Sequence, residues 1–172
     1  MKSLLIVDMI HDFVDGKFGS EGARSIVPKI KEIAKKFRKE GMVIYLRDSH
    51  RKDDAELRVW GEHAMEGTWG SEIVEELAPE SGDIVIDKRT YDGFLFTELE
   101  KVLREKGVDD VYLCGVATDI CVLHTAFGAF VRGFDVYVIE DACIGTSEAK
   151  HEYALNYMRD IYGVKIVKGE EI

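Results

Sequence analysis

Glutamine is absent from this 172-residue chain, and asparagine occurs once, at Asn156. With lysine and glutamate abundant, this is the bias of proteins from hot environments, which bears on source rather than activity. Cysteine is scarce, with three residues at positions 114, 121 and 143. An odd number in an acidic chain argues against a disulfide framework and for a reducing compartment, the cytoplasm. Positive charge is in deficit: 23 Lys and Arg stand against 33 Asp and Glu, a formal net charge of −10. Phosphates would be repelled, so no nucleic-acid partner is expected. No apolar run approaches the ~20 residues of a membrane span, so no membrane role is expected. The short apolar stretch before Asp8 lacks a cleavage site and reads as a first strand, not a signal peptide. Repeats, linkers and low-complexity tracts are also lacking. What remains is a chain 46% hydrophobic, long enough for one well-buried core, and residues 1–172 read as a single domain.

Short β-branched runs alternate with longer helical patterns. Strands are expected at Ser3–Val7, Met42–Arg47, Asp83–Lys88, Val111–Val116, Asp135–Glu140 and Val164–Val167. Helices are expected over 25–40, where Ile26, Ile30, Ile33 and Phe37 recur at helical spacing before Gly41, and over Ser71–Leu77, Thr118–Arg132 and Ser147–Tyr162. Thr97 and Glu100 read as a capping box for a helix through Lys106. Residues 48–70 have no clear period and read as a long loop. Strands alternating with helices imply an α/β, doubly wound, mostly parallel six-stranded sheet with helices on both faces.

In such a sheet the carboxyl ends of the strands line a ligand crevice. Asp8 follows the first strand, Asp48 and His50 the second, Lys88 closes the third, and Cys121 lies just past the fourth. Each has an ordinary alternative: a turn cap for Asp8, a solvated strand end for Lys88, a core position for Cys121. Their convergence raises the catalytic reading. A cysteine in the first turn of a helix feels the positive end of the dipole, which favours thiolate. Lys88, on a strand apolar on both faces and therefore buried, would support both a thiolate and a developing oxyanion. Asp8 could take the thiol proton and return it to a leaving amine. Asp48, His50 and His63 form a second constellation, two imidazoles and a carboxylate able to hold a divalent metal, with Glu56 a further candidate ligand. Cys114 reads as core, and Cys143 lacks an evident activating partner. His11 sits in a loop that could roof the pocket. His124 reads as structural and His151 as solvated.

Taken together, these residues resemble the nicotinamidase/isochorismatase-like cysteine hydrolases over nearly the whole chain. The resemblance rests on Leu5-Ile6-Val7-Asp8-Met9 with Asp12-Phe13, on Asp48-Ser49-His50, and on Trp60-Gly61-Glu62-His63 with Gly67-Thr68-Trp69-Gly70. Lys88 with Tyr91 and Phe94, Gly115 to Val122, and Asp141-Ala142 complete it. It implies a catalytic triad of Asp8, Lys88 and Cys121, and a metal held by Asp48, His50 and His63. It implies substrate contacts from Phe13, Trp60, Val116 and Ala117, and a cis peptide between Val116 and Ala117 that aims the amides of Ala117 and Cys121 at an oxyanion. The ligand trio and its spacing are similar to the nicotinamidase (pyrazinamidase) branch. Two segments depart from that branch: Ile10-His11 replaces its usual Gln-Asn, and Arg51-Lys52-Asp53-Asp54 replaces its proline-bearing segment.

The expected activity is metal-dependent hydrolysis of nicotinamide, and of pyrazinamide, to the acid and ammonia through a cysteine thioester. The expected metal is zinc, with iron or manganese suited to the same ligands. An amidase for an N-carbamoyl or ureido compound is the alternative within this fold, and a non-catalytic α/β binding domain is the alternative from another class. The small amide is the one partner expected, apart from a second copy of the chain that Phe127, Phe130, Tyr153 and Tyr157 could face. Core packing would explain those four aromatics equally well.

Overall fold

The computed structural model describes residues 1–172. Six strands, β1 (Lys2–Val7), β2 (Met42–Asp48), β3 (Ile84–Lys88), β4 (Asp110–Val116), β5 (Asp135–Ile144) and β6 (Lys165–Val167), form one sheet in the order β3-β2-β1-β4-β5-β6. Every pairing is parallel. The order reverses between β1 and β4. Because parallel crossovers are right-handed, that reversal sends the connecting helices of the two halves to opposite faces. The apolar runs that reveal the strands follow from this, since β1 and β4 are covered on both sides.

After two short helices, α1 (His11–Val14) and α2 (Glu21–Ser25), the helix α3 (Val27–Glu40) lays Ile30, Ile33, Ala34 and Phe37 against the sheet, touching β1, β2 and β5. The period of 3.6 visible in the sequence is this buried stripe. Pro28 lies in its first turn, where a missing N–H costs nothing. The helices α6 (Leu123–Val131) and α7 (Glu148–Tyr162) pack on β5 and on each other. The start of α7 is fixed by Ser147, whose Oγ accepts from the Lys150 amide at 3.1 Å. On the outer surface of this pair Phe127, Phe130, Tyr153 and Tyr157 remain substantially exposed, so core packing does not absorb them.

Several local expectations are corrected. The third strand is not buried on both faces: β3 is an edge strand paired only with β2, and Val85 and Asp87 are exposed. Residues 71–77 do not form a helix. Two 3₁₀ turns, Trp69–Ser71 and Glu75–Leu77, flank an extended piece instead. Its backbone bonds go to the segment after β1, with the His11 amide donating to Glu72 O at 3.0 Å and the Val74 amide to Met9 O at 3.1 Å. The capping box at Thr97 and Glu100 is not made. The helix α5 (Leu99–Glu105) starts later, Thr97 Oγ1 donates to Gly93 O, and Glu100 pairs with Arg132. Strand β5 runs on to Ile144, because past a register shift Cys143 and Ile144 pair with Gly115 and Val116. The 48–70 loop holds a short helix α4 (Leu57–Trp60) and is clamped by His50, whose amide donates to Ala64 O at 2.8 Å and whose carbonyl accepts from the Glu66 amide at 2.9 Å.

Candidate active site

The reversal point of the sheet places the ends of β1 and β4 side by side, with Val7 opposite Gly115. The chain leaves β1 at Asp8, which takes a positive φ of 52°. That conformation is uncommon outside glycine and needs support from its surroundings. The support is direct: the Asp8 amide donates to Leu46 O at 2.8 Å, and Asp8 Oδ1 accepts from the Asp48 amide at 2.8 Å. The chain leaves β4 through the cis Val116–Ala117 peptide and enters a π-turn, Thr118–Val122, that leads into α6. Gly115 lies where this handover passes closest to β1. A Cβ there would stand 2.1 Å from Val7 O, and its φ of 112° suits glycine.

The three strand-end residues meet. Lys88 Nζ lies 3.0 Å from Asp8 Oδ2, 2.6 Å from Asp48 Oδ1 and 3.4 Å from Cys121 Sγ, and it donates to Thr90 O at 3.0 Å. Although β3 is an edge strand, Lys88 is 0% exposed, because its ammonium turns in to these carboxylates. Burial disfavours its charge, but Asp48 and Asp8 outweigh burial and hold its pKa well above the ordinary lysine value. Burial, followed by the charge of Asp48, lifts Asp8 to about 7, with Lys88 acting in the opposite sense. Cys121 is 5% exposed, and burial pushes its thiol well above the ordinary value, against the pull of Lys88. Burial and the charges of Asp8 and Asp48 thus act against the thiolate that Lys88 favours.

Beside this trio lies the second constellation. Ligand atoms of Asp48, His50, Glu56 and His63 all fall within 4.8 Å of one another, and all four residues are buried. His50 Nε2 is 3.4 Å from Asp48 Oδ2 and 3.1 Å from Glu56 Oε2, and His63 Nε2 is 3.9 Å from Glu56 Oε2. Asp48 Oδ2, His50 Nε2 and Glu56 Oε1 are buried without a hydrogen-bond partner. Buried polar atoms left without a partner are costly unless something satisfies them. Two imidazoles and two carboxylates suit a divalent transition metal. Burial works against a charge on His50, yet Asp48 and Glu56 outweigh it and raise its pKa to about 10. A cation among the same carboxylates would take the place of that proton.

Asp48 belongs to both constellations and lines, with Glu56, His63 and Cys121, a cavity of about 270 Å³. Phe13, Trp60, Val116 and Ala117, the expected substrate contacts, all line it. So do residues the sequence did not single out: Phe18, and Ile144 with Thr146 at the end of β5. They come from two distant segments, and no local pattern links the two. The Trp60 indole donates to Tyr91 Oη at 3.0 Å, fixing one wall. His11 does not roof the cavity. It is buried elsewhere, stacked on Trp69 at 4.1 Å and paired with Asp15, while Ile10 pairs with Ile73, so neither intrudes. His151 is not simply solvated either, because its Nδ1 meets Thr118 Oγ1 at 2.7 Å. His124 Nδ1 donates to Ile120 O at 2.7 Å on the α6 surface. Cys114 and Cys143 are buried in the core, and no cysteine is bonded to another.

The isochorismatase domain family matches residues 2–171. Among solved structures, an N-carbamoylsarcosine amidase from Thermoplasma acidophilum superposes with a TM-score of 0.94 at 37% identity, covering 99% of this chain and 98% of that one. A pyrazinamidase of Pyrococcus horikoshii in complex with zinc gives a TM-score of 0.89 at 35% identity, covering 97% and 98%. Nicotinamidase PncA from Bacillus subtilis gives 0.92 at 31% identity, covering 97% and 99%.

Proposed function

The chain belongs to the isochorismatase family, and from that premise we propose that it is a metal-dependent amidohydrolase converting nicotinamide, and also pyrazinamide, to the free acid and ammonia. One observation carries this reading: Asp48, Glu56 and His63 of the metal-ligand cluster share one cavity with Cys121. A metal held by Asp48, His50, His63 and Glu56, with zinc the first candidate and iron or manganese also suited, would supply an anchor for the pyridine nitrogen. Ten of the sixteen lining residues are hydrophobic, and none is lysine or arginine. Such a wall suits a small neutral aromatic amide, flanked by Phe13 and Trp60.

The chemistry follows from the trio. Asp8 takes the proton of Cys121 as Sγ attacks the carboxamide carbon. The amides of Ala117 and Cys121 hold the oxyanion, and the ammonium of Lys88 offsets the charge that has formed. Asp8 gives its proton to the nitrogen, the C–N bond breaks, ammonia leaves and a thioester remains. Water attacks the thioester while Asp8 takes its proton. The C–S bond breaks, the acid leaves and the thiol of Cys121 is restored.

Similarity to an N-carbamoylsarcosine amidase supports a second reading, an amidase for N-carbamoyl or ureido compounds. Those that bear a carboxylate would face Asp48 and Glu56 with no lysine or arginine on the cavity wall, which favours the first reading. Ammonia release from nicotinamide and from N-carbamoylsarcosine, each measured with zinc and after chelation, separates the two. Zinc-dependent release from nicotinamide is expected. Release from the carbamoyl compound alone would overturn the nicotinamidase reading.

A further inference from the structure

The two histidines of the metal cluster are held by different means. His63 Nδ1 donates to a neutral acceptor, Gly61 O, at 2.8 Å. His50 Nδ1 instead meets a carboxylate, Asp54 Oδ2, at 2.8 Å. Asp54 is 7% exposed and every contact it makes has a counterpart: Oδ2 also accepts from the Arg51 amide at 3.0 Å, and Oδ1 accepts from Arg89 Nε at 2.8 Å and from Arg89 Nη2. Arg89 follows Lys88 directly, so one strand end anchors both the lysine beside Cys121 and the guanidinium behind His50. The fork of Arg89 keeps Asp54 turned toward Nδ1 and leaves Nε2, the atom without a partner, facing Asp48 and Glu56.

We propose that Asp54 is the positioning residue of the metal site, and that Arg89 anchors it, so that the Arg89–Asp54–His50 chain sets the affinity of the site for a divalent metal. The inference rests on the metal reading above. A carboxylate on the outer nitrogen fixes the tautomer with its proton on Nδ1, holds the ring in one orientation and makes Nε2 a stronger donor to a cation. Gly61 O does the first two of these for His63 without the charge. The inference also gives a purpose to the segment after His50 that departs from the proline-bearing pattern, because Arg51 and Asp54 are its two ends.

The test is zinc affinity of the full chain, measured by competition with a chromophoric chelator after the protein has been stripped of metal. Removing the Asp54 carboxylate is expected to weaken zinc binding by about 10–100-fold, with Asp54→Ala at the larger end. Asp54→Asn, which keeps shape and an acceptor oxygen, lies toward the smaller end and serves if the alanine variant fails to fold. Arg89→Gln is expected to shift affinity in the same direction by less. Asp53, exposed and 3.3 Å from Arg89 Nη2, is the control, because Asp53→Ala removes the same charge from the same neighbourhood without touching His50. It is expected to leave affinity unchanged. Thermal unfolding of the metal-free proteins separates loss of ligand orientation from loss of fold. Zinc binding in wild type together with unchanged affinity in both Asp54 variants would overturn the positioning role while leaving the metal site intact. Equal losses in the Asp53 and Asp54 variants would overturn it in favour of charge alone. Absence of zinc binding in wild type would overturn the metal reading and this one with it.

Discussion

At the scale of single residues, the site depends on where protons rest. Cys121 is a buried thiol next to a carboxylate whose pKa stands at about 7. Cys121→Ala is expected to lower ammonia release from nicotinamide by at least ~10⁴-fold, the size of effect seen when a nucleophile is removed. Asp8→Asn keeps the shape but cannot take a proton, and a loss of about 10²–10⁴-fold is expected. The sign of the pH effect is set by the same group. As pH rises through about 7 in metal-free protein, Asp8 loses its proton and becomes able to accept that of Cys121. Alkylation of Cys121 by iodoacetamide is therefore expected to accelerate across that range, and the step is expected to vanish in Asp8→Asn. Cys114 and Cys143, buried in the core and not part of the cavity lining, are expected to react far more slowly. Peptide mass mapping of the alkylated protein distinguishes the three. A profile identical in wild type and Asp8→Asn would remove Asp8 from the proton transfer. Asp8, Lys88 and Cys121 are legible in the sequence because each lies at the carboxyl end of an apolar run. The upward pressure on the Cys121 thiol is not, since it comes from burial and from two carboxylates on other segments.

At the scale of elements, the handover from β4 into the π-turn is tied down at both ends. Behind it, Gly115 allows β4 to approach β1. Gly115→Ala would force a methyl group against Val7 O and a side chain into a positive φ, and a loss of about 2–4 kcal/mol is expected from urea unfolding. In front of it, Asp119 accepts from the Thr146 amide at 2.8 Å and from Thr146 Oγ1 at 2.5 Å, joining the turn to the loop after β5. Asp119→Ala is expected to cost only ~1–2 kcal/mol in stability. Because the same change would displace Cys121, kcat/KM is also expected to fall by about 10–100-fold. A variant equally active and equally stable would show that the turn holds its shape alone. The strand-turn-helix order of this region can be read from Val111-Tyr112-Leu113-Cys114 and the glycine after it. The tie from Asp119 to Thr146 cannot, because 27 residues separate them.

At the scale of the molecule, a metal held by Asp48 at the end of β2 and by His50, Glu56 and His63 on the loop that follows would tie that loop to the sheet. Zinc at ~100 times its dissociation constant is expected to add about 2.7 kcal/mol. For a chain of this length that is a rise in Tm of roughly 5–10 °C, read by calorimetry with and without a chelator. The same chelator is expected to abolish nicotinamide turnover and added zinc to restore it. No helix is long and apolar enough to cross a membrane.

The sequence by itself determined the order of the six strands and the places of the helices α3, α6 and α7, because buried strands write apolar runs and burial on one helix face writes a 3.6-residue period. It also determined which polar residues stand at the strand ends, since a charge directly after an apolar run is visible without coordinates. Only the tertiary structure decided that β3 is an edge, that 71–77 is drawn out to bond the segment after β1, and that Glu56 joins Asp48, His50 and His63. It alone brought Phe18, Ile144 and Thr146 to the cavity and Asp54 to His50. These are contacts between segments without a shared period, and their partners are set by how the loops fold back over the sheet, which no local pattern records.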